Sequence, residues 1–349
     1  MVLDEAQYIK NSNTRNAQAV KSVDCVQRFA LTGTPIENRL SELWSIFDFL
    51  MPQYLFQYAQ FRAQFEIPAM KEGDSGALER LHRMVSPFLL RRLKKDVLRE
   101  LPPKTETIRR VPLSGEQRTL YQANLSLARS QLEEELRLSG AVEGDVLPKG
   151  RMRILALLTR LRQLCCDPGL CYEDYAGPSA KLDSCMELIV ESVEGGHKVL
   201  LFSQFTSMLT RIEQKLSEMG LEYFLLRGST SKEKRAELVA RFNRDDTPVF
   251  LVSLKAGGTG LNLTGADVVI HYDPWWNLAA QNQATDRAHR IGQKNPVQVY
   301  KLIAQNTIEE KILALQQRKR GLSDAVVEQG GEGNLFSLSR EELLELMSQ

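Results

Sequence analysis

Two kinds of hydrophobic spacing alternate in the first fifty residues. VLDEA and RFALTGT are short apolar runs of strand type, and each is followed by an amphipathic stretch, to about Cys25 and then in RLSELWSIFDFLM. The segment reads strand, helix, strand, helix. From Pro52 the pattern turns helical and aromatic-rich. A long polar helix is predicted at about 115–138, followed by a Gly-containing loop. In the next helix Ile154, Leu157, Leu158, Leu161, Leu164 and Cys165 recur at helical spacing, so one face is buried, and it stops before Pro168.

Beyond Lys181 the alternation is regular. Apolar runs KVLLFSQF, EYFLLRG, VFLVSL, DVVIHYD and VQVYKLI are separated by helical or Gly-rich segments and followed by a last long helix. Continuous Val, Leu and Ile in strands set between helices imply a parallel sheet covered on both faces. Thr230 with Glu233, Thr307 with Glu310 and Ser339 with Glu342 carry the spacing of helix capping boxes. The fold class is therefore α/β with parallel sheets. The domain division is 1–112 for an incomplete first α/β domain with a helical insertion, 113–178 for a helical protrusion, 179–318 for a complete second α/β domain and 319–349 for a helical tail, with residues 329–333 as a linker.

Composition narrows the class without naming a partner. The 349 residues hold 45 Lys+Arg against 44 Asp+Glu and are 43% hydrophobic, which excludes collagen-like, mucin-like and wholly disordered chains. No apolar run approaches the ~18 residues that a bilayer crossing requires. Five unevenly spread cysteines fit reduced thiols of a cytoplasm better than a disulfide framework, and Cys165, Cys166 and Cys171 lack the paired spacing of zinc sites. Charge is uneven along the chain. Residues 80–118 hold eleven Lys/Arg and four Asp/Glu, which reads either as a DNA-facing surface or as a solvated helix face.

Candidate chemistry sits at strand ends. Asp4 and Glu5 follow an apolar strand, where one carboxylate can hold Mg²⁺ through its waters and the next can polarise an attacking water; a solvated turn has the same sequence. LTGTPIEN places Thr32, Gly33 and Thr34 after the next strand, as a phosphate sensor or as a capped turn. SLKAGGTGLNLT is a second Gly-rich turn, with Ser253 and Lys255 as donor and charge. In QATDRAHRIG a predicted helix sets Arg287 and Arg290 on one face, suited to charge building on a transferring phosphoryl group, or to surface ion pairs.

Taken in order, DEAQ, LTGTP, PFLLRRLKKDV, LPPK, KVLLFSQF, SLKAGGTGLNL, ADVVIHYDPWWN and QATDRAHRIGQ resemble the Swi/Snf family of helicase-like, DNA-stimulated ATPases in helicase superfamily two. The resemblance runs from residue 2 to about 315, and RAHRIGQ is its most specific block. It implies two RecA-like lobes, the first incomplete and the second complete, with ATP and Mg²⁺ as ligands and double-stranded DNA as a partner followed along its backbone without strand separation. By position it implies Mg²⁺ at Asp4, water activation by Glu5, coupling of nucleotide state to DNA through Thr32, Gly33 and Thr34, and a nucleotide contact near Gly260. Arg287 and Arg290 would be arginine fingers in a motif opened by Gln283. It implies DNA phosphate contacts at Ser203, Gln204, Gly228, Ser229, Ser253 and Lys255. Trp276 would guide the strand or serve in packing, and His271 and His289 would be structural.

One family element has no counterpart. The phosphate loop GxxxxGK[ST] needs a Gly-Lys step, and none of the 22 glycines is followed by Lys. The expectation is a stretch of a longer motor that is inactive alone, its first lobe completed by a segment in the same chain or by another chain. The alternative is a non-catalytic DNA-binding or regulatory module, or one half of a split ATPase. A cytoplasmic, nucleoid-associated location is expected, or a nuclear one in a eukaryote.

Overall fold

The structure, a computed structural model, describes residues 1–33, 40–71, 74–90, 92, 94–98, 100–138, 148–257, 260–327 and 346–347. Two compact units emerge. The first comprises residues 1–92 together with short pieces from 276–279 and from 315 onward; the second comprises 93–275 and 280–314 with the extreme C-terminus.

In the first unit β1 (Val2–Leu3) and β2 (Phe29–Ala30) pair in parallel, Val2 opposite Phe29 and Leu3 opposite Ala30, with α1 (Arg15–Lys21) as the crossover. Thr14 caps α1 by accepting the Ala17 N–H, as a hydroxyl does at a helix start. Helix α2 (Leu40–Leu50) buries Leu43, Ile46, Phe47 and Phe49. The helical insertion follows as α3 (Tyr58–Phe61), a π-turn over Arg62–Glu66, α4 (Ile67–Lys71) and α5 (Ser75–Val85). Its own core holds Leu43, Phe47, Phe61, Phe65 and Leu81.

The second unit opens with the single turn α6 (Lys94–Val97) and strand β3 (Lys104–Val111), then α7 (Gly115–Leu138) and α8 (Pro148–Cys166) as an antiparallel-type helical pair. The alternation follows: α9 (Ala180–Glu194), β4 (Val199–Ser203), α10 (Thr206–Glu218), β5 (Tyr223–Leu226), α11 (Lys232–Phe242), β6 (Val249–Ser253), α12 (Leu254–Gly257), β7 (Val268–His271), α13 (Leu278–Thr285), β8 (Val297–Ala304) and α14 (Ile308–Val327). All pairings are parallel, in the order β3-β8-β7-β4-β6-β5. Alternate side chains feed two cores. Val199, Leu201, Val249, Leu251 and Ile270 pack with Cys185, Ile189, Leu209 and Ile212 on one face. Leu200, Phe202, Phe250, Val252 and Val269 pack with Leu238, Phe242 and Ala284 on the other.

The chain passes from the first unit to the second at 92/93, and residues 104–111 add an edge strand to the second sheet. KTETIRRV hid that strand because an edge carries charge rather than apolar runs. Its charges are paired: Glu106 accepts Lys104 at 2.6 Å and Lys301 at 2.7 Å, Arg109 meets Glu187 at 3.1 Å and Arg110 meets Glu310 at 3.2 Å. Helix α14 runs on through residue 318. Ser231, rather than Thr230, caps α11 by accepting the Lys234 N–H at 3.2 Å. The linker at 329–333 and the Ser339–Glu342 cap lie outside the described residues, and no described helix is long and apolar enough to cross a membrane. Cys165, Cys166 and Cys185 are wholly buried, and burial pushes the Cys185 thiol up to about 12, so these are core thiols.

A fully buried ion pair ties the start of α9 to α14. Lys181 Nζ donates to both Glu309 oxygens at 2.6 and 2.7 Å, and Glu309 also accepts the Ala304 N–H. Burial works against the charge on Lys181, but the Glu309 carboxylate outweighs it, and the ammonium holds its proton more tightly than usual. Lys181→Met alone is predicted to cost about 3–5 kcal/mol in urea unfolding, whereas Lys181→Met with Glu309→Leu recovers most of it. An additive double variant would show that the pair is not coupled.

Candidate functional site

Parallel pairing puts the C-terminal ends of neighbouring strands at one edge, where ligands of such sheets bind. In the first unit that edge gathers the two motifs expected there. Asp4 and Glu5 follow β1, Thr32 and Gly33 follow β2, and Ala6 N–H donates to Leu31 C=O at 2.9 Å. Glu5 sits in the left-handed region at φ 55°, which is unusual for a residue with a Cβ and re-aims its side chain. Its amide donates to Asp4 Oδ1 at 2.9 Å.

Gln7 joins the two motifs. Its Nε2 donates to Glu5 Oε2 at 2.5 Å while its Oε1 accepts the Thr32 hydroxyl at 2.8 Å. One side-chain amide therefore bridges the Thr32 hydroxyl and the Glu5 carboxylate. Gln7 was not singled out in the sequence; its place in DEAQ, two residues beyond Glu5, was the available signal. Gly33 has open space where a Cβ would lie, and Thr34 falls outside the described residues.

The second unit assembles the Gly260 segment and the two arginines, but differently from the expected helix. Helix α13 ends at Thr285, and Arg287 and Arg290 lie in the turns that follow. The helix stops because its last groups are taken elsewhere. Arg287 N–H and Ala288 N–H bond back three residues rather than four, and Arg287 C=O accepts the Leu263 N–H at 2.9 Å. Arg290 Nη1 donates to Leu261 C=O at 3.1 Å. Arg287 is only 9% exposed. Gln283 is half-buried on α13, and Gly260, exposed, has φ 26°. Gln293, absent from the sequence reading, fixes the far side by donating to Ala266 C=O at 2.7 Å and Ala288 C=O at 3.1 Å. Gly292 beside it has φ 102°, a conformation that glycine alone adopts without strain.

The residues expected to meet DNA separate into two groups. Gly228 and Ser229 are exposed after β5 and Gln204 is half-buried after β4. Ser203 and Ser253, opposite each other in register, are 1% and 3% exposed. The Ser203 hydroxyl donates to Asp273 Oδ1 at 2.5 Å, and Ser253 Oγ accepts the Ala256 N–H at 3.3 Å. In this structure both hydroxyls bond within the strand edge. Trp276 is likewise buried, at 7% exposure, as a packing residue is. Lys255 lies on α12, and its side chain is outside the described residues.

Asp273 is the organiser of that edge. Besides Ser203 it accepts the Gln204 N–H and lies 3.7 Å from Arg162 of α8. Arg162 also donates to Gln204 Oε1 at 2.9 Å and to Pro274 C=O at 2.5 Å. Burial pushes the Asp273 carboxyl up, and the Arg162 guanidinium opposes it. The helical protrusion thus holds the ends of β4 and β7. The sequence reading passed over Arg162, because an arginine inside an apolar helical stretch reads as its polar face.

Known proteins place this arrangement. Residues 1–170 match the SNF2-related domain and residues 180–292 match the helicase conserved C-terminal domain. The solved SWI2/SNF2 ATPase core of Sulfolobus solfataricus in complex with dsDNA is similar, with 38% identity and a TM-score of 0.56 over 99% of this chain and 72% of that one. The chain belongs to the SWI/SNF family of helicase-like ATPases. Its two units carry the RecA-like α/β fold of that family. An uncharacterised ATP-dependent helicase of Mycoplasma pneumoniae is 44% identical over 99% of the chain and 32% of its own length. A putative ATP-dependent helicase/translocase of Bacillus subtilis is 40% identical over 99% of the chain and 37% of its own length. The chain spans about a third of the length of these curated relatives.

In this SWI/SNF chain the arginine turn leans on His271, whose Nε2 lies 2.8 Å from the Thr285 hydroxyl at the end of α13. That hydroxyl donates to Gln281 C=O, so the ring is the donor. Burial, aided by Lys301, pushes the His271 imidazole down to about 3. An unfolded chain takes up this proton below about pH 6.5, whereas the native ring stays neutral to about 3. Stability is therefore predicted to be fully present above pH 6.5 and to fall towards pH 3, by up to about 1.4 kcal/mol per pH unit. Urea midpoints from pH 7.5 to 4.5 test this, since His271→Gln should flatten the slope; an equal slope would assign the acid sensitivity elsewhere.

Proposed function

We propose that this chain provides the hydrolytic and arginine-bearing parts of a Swi/Snf-type motor that couples ATP hydrolysis to movement along double-stranded DNA. The observation that carries this reading is the Gln7 amide, which links the Glu5 carboxylate to Thr32 at the sheet edge. Glu5 is the base that orients and activates water, and Thr32 reports nucleotide state through Gln7. Arg287 and Arg290 stabilise charge on the transferring phosphoryl group. Asp4 suits Mg²⁺: it is an exposed hard oxygen donor at the strand end, with Oδ1 oriented by the Glu5 N–H. Bound there, Mg²⁺ would neutralise phosphate charge.

The exposed loop at Gly228 and Ser229, together with Gln204 after β4, would follow the DNA backbone, which gives sequence-independent and salt-dependent binding. Such a motor works in whichever compartment holds the DNA. The first lobe is completed by a segment carrying the phosphate loop, joined in the same chain or supplied by another. Support comes from β1–β2: Val2 is 63% exposed, Phe29 55% and Leu31 53%, around a parallel pair that among the described residues has two strands. Parallel sheets are ordinarily larger and covered on both faces.

ATP turnover, measured with and without duplex DNA, tests the reading. The 349 residues alone are expected to show no DNA-stimulated turnover. Joined to a phosphate-loop segment they should turn over, and Glu5→Gln or Arg290→Ala should each reduce the rate about 10³-fold or more with duplex binding retained. Turnover by the 349 residues alone, or full activity of either variant, would overturn it. Salt-steep duplex binding without turnover in the joined form would instead favour a non-catalytic binding module.

A further inference from the structure

The arginine turn is held from a second side by a segment with no role in the chemistry above. Lys94 Nζ lies 2.7 Å from Asp286 Oδ2 and donates to His289 C=O at 3.4 Å. Eight residues later Pro102 C=O lies 2.8 Å from His289 Nε2, where the ring must be the donor. Between these points Leu98 N–H returns to Lys94 C=O and Leu101 N–H to Leu98 C=O, so the segment is folded on itself. At its far end Pro103 C=O accepts the Val297 N–H, and β3 begins its ladder with β8 at Lys104. This strap directly follows the last residue of the first unit, Arg92. It is anchored at both ends, and its first anchor is on the arginine turn.

We propose that Lys94 is a positioning residue for the arginine turn, and that through it the strap sets where Arg287 and Arg290 stand. The proposal rests on the reading of those arginines given above. The inner side of the turn is fixed by backbone: Leu263 N–H to Arg287 C=O, and Leu261 C=O to the Arg290 guanidinium. Asp286 directly precedes Arg287, and His289 directly precedes Arg290. Lys94 spans the two, touching one carboxylate and one carbonyl, so one ammonium clamps the turn across its width. The pair is 43% and 38% exposed, too open to contribute much to global stability. Its effect is local order in the turn, transmitted to the two guanidinium groups.

Hydrogen exchange on the 349-residue chain and kinetics on the form joined to a phosphate-loop segment test the proposal together. Lys94→Gln and Asp286→Asn should each speed exchange of the amides at 286–290 by about two- to fivefold, with the urea midpoint unchanged. In the joined form each should lower kcat by a similar factor and leave KM for ATP and duplex affinity unchanged. The charge swap, Lys94→Asp with Asp286→Lys, should restore both. High salt should shrink the difference between wild type and Lys94→Gln, because the pair is screened. Unchanged exchange and kcat in Lys94→Gln, or a swap that fails to rescue, would overturn the proposal. If Arg290→Ala abolishes turnover while Lys94→Gln does nothing, only the positioning role fails. If Arg290→Ala leaves turnover intact, the assignment of the arginines fails with it.

Discussion

Parallel strand pairing is the constraint on which the molecule depends. Antiparallel strands can join by a tight turn, but parallel ones need a crossover that returns the chain to the starting edge. Every such crossover leaves its strand at the same side of the sheet. In the second unit this brings the ends of β4, β6 and β7, and the loops after them, to one line. In the first unit it brings Glu5 and Thr32 within reach of one glutamine. Motifs some twenty-five residues apart in sequence become neighbours because the ladder admits no other arrangement.

An edge where chain ends collect is also an edge of unsatisfied backbone, and the structure uses buried side chains to settle it. Asp273 takes the Ser203 hydroxyl and the Gln204 amide, and Arg162 takes the Pro274 carbonyl and the Gln204 side chain. Gln293 does the same for the carbonyls of Ala266 and Ala288. These groups fix the segments that follow β4 and β7 and the turn after α13.

The strands and helices of the second unit were legible because buried parallel strands are continuous apolar runs and the covering helices repeat at 3.6 residues. Helices at 115–138 and up to Cys166 were read from the same periodicity. Strand β3 was not, because an edge strand shows its charges, and the excess of Lys and Arg at 80–118 masked it. Much of that excess is spent on ion pairs with Glu106, Glu187, Asp286 and Glu310. Motif order singled out Asp4, Glu5 and the two arginines as candidates, but it could not tell an exposed serine from a buried one. Ser203 and Ser253 follow strands as phosphate-contacting residues do, and their hydroxyls turn inward because a buried carboxylate and a helix start lie beneath them. The end of α13 was equally out of reach, since it depends on Leu263, some twenty residues away, capturing a carbonyl.

The carboxylates show how one residue type divides between framework and reaction. Glu309 and Asp273 are buried, each has a cationic group nearby, and their value lies in holding elements together. Asp4 is exposed and is oriented by the next amide, and Glu5, strained at φ 55°, is held by the Gln7 side-chain amide. A carboxylate with a buried cation for a partner has its charge already neutralised and cannot respond to a ligand without unmaking the fold. One held by neutral donors keeps its charge available and can move at little cost. By that criterion Glu309 and Asp273 of the second unit are structural, the proposed reaction would draw on the carboxylates of the first unit, and Arg290, whose guanidinium donates to the Leu261 carbonyl, would offer its positive charge to a phosphoryl group.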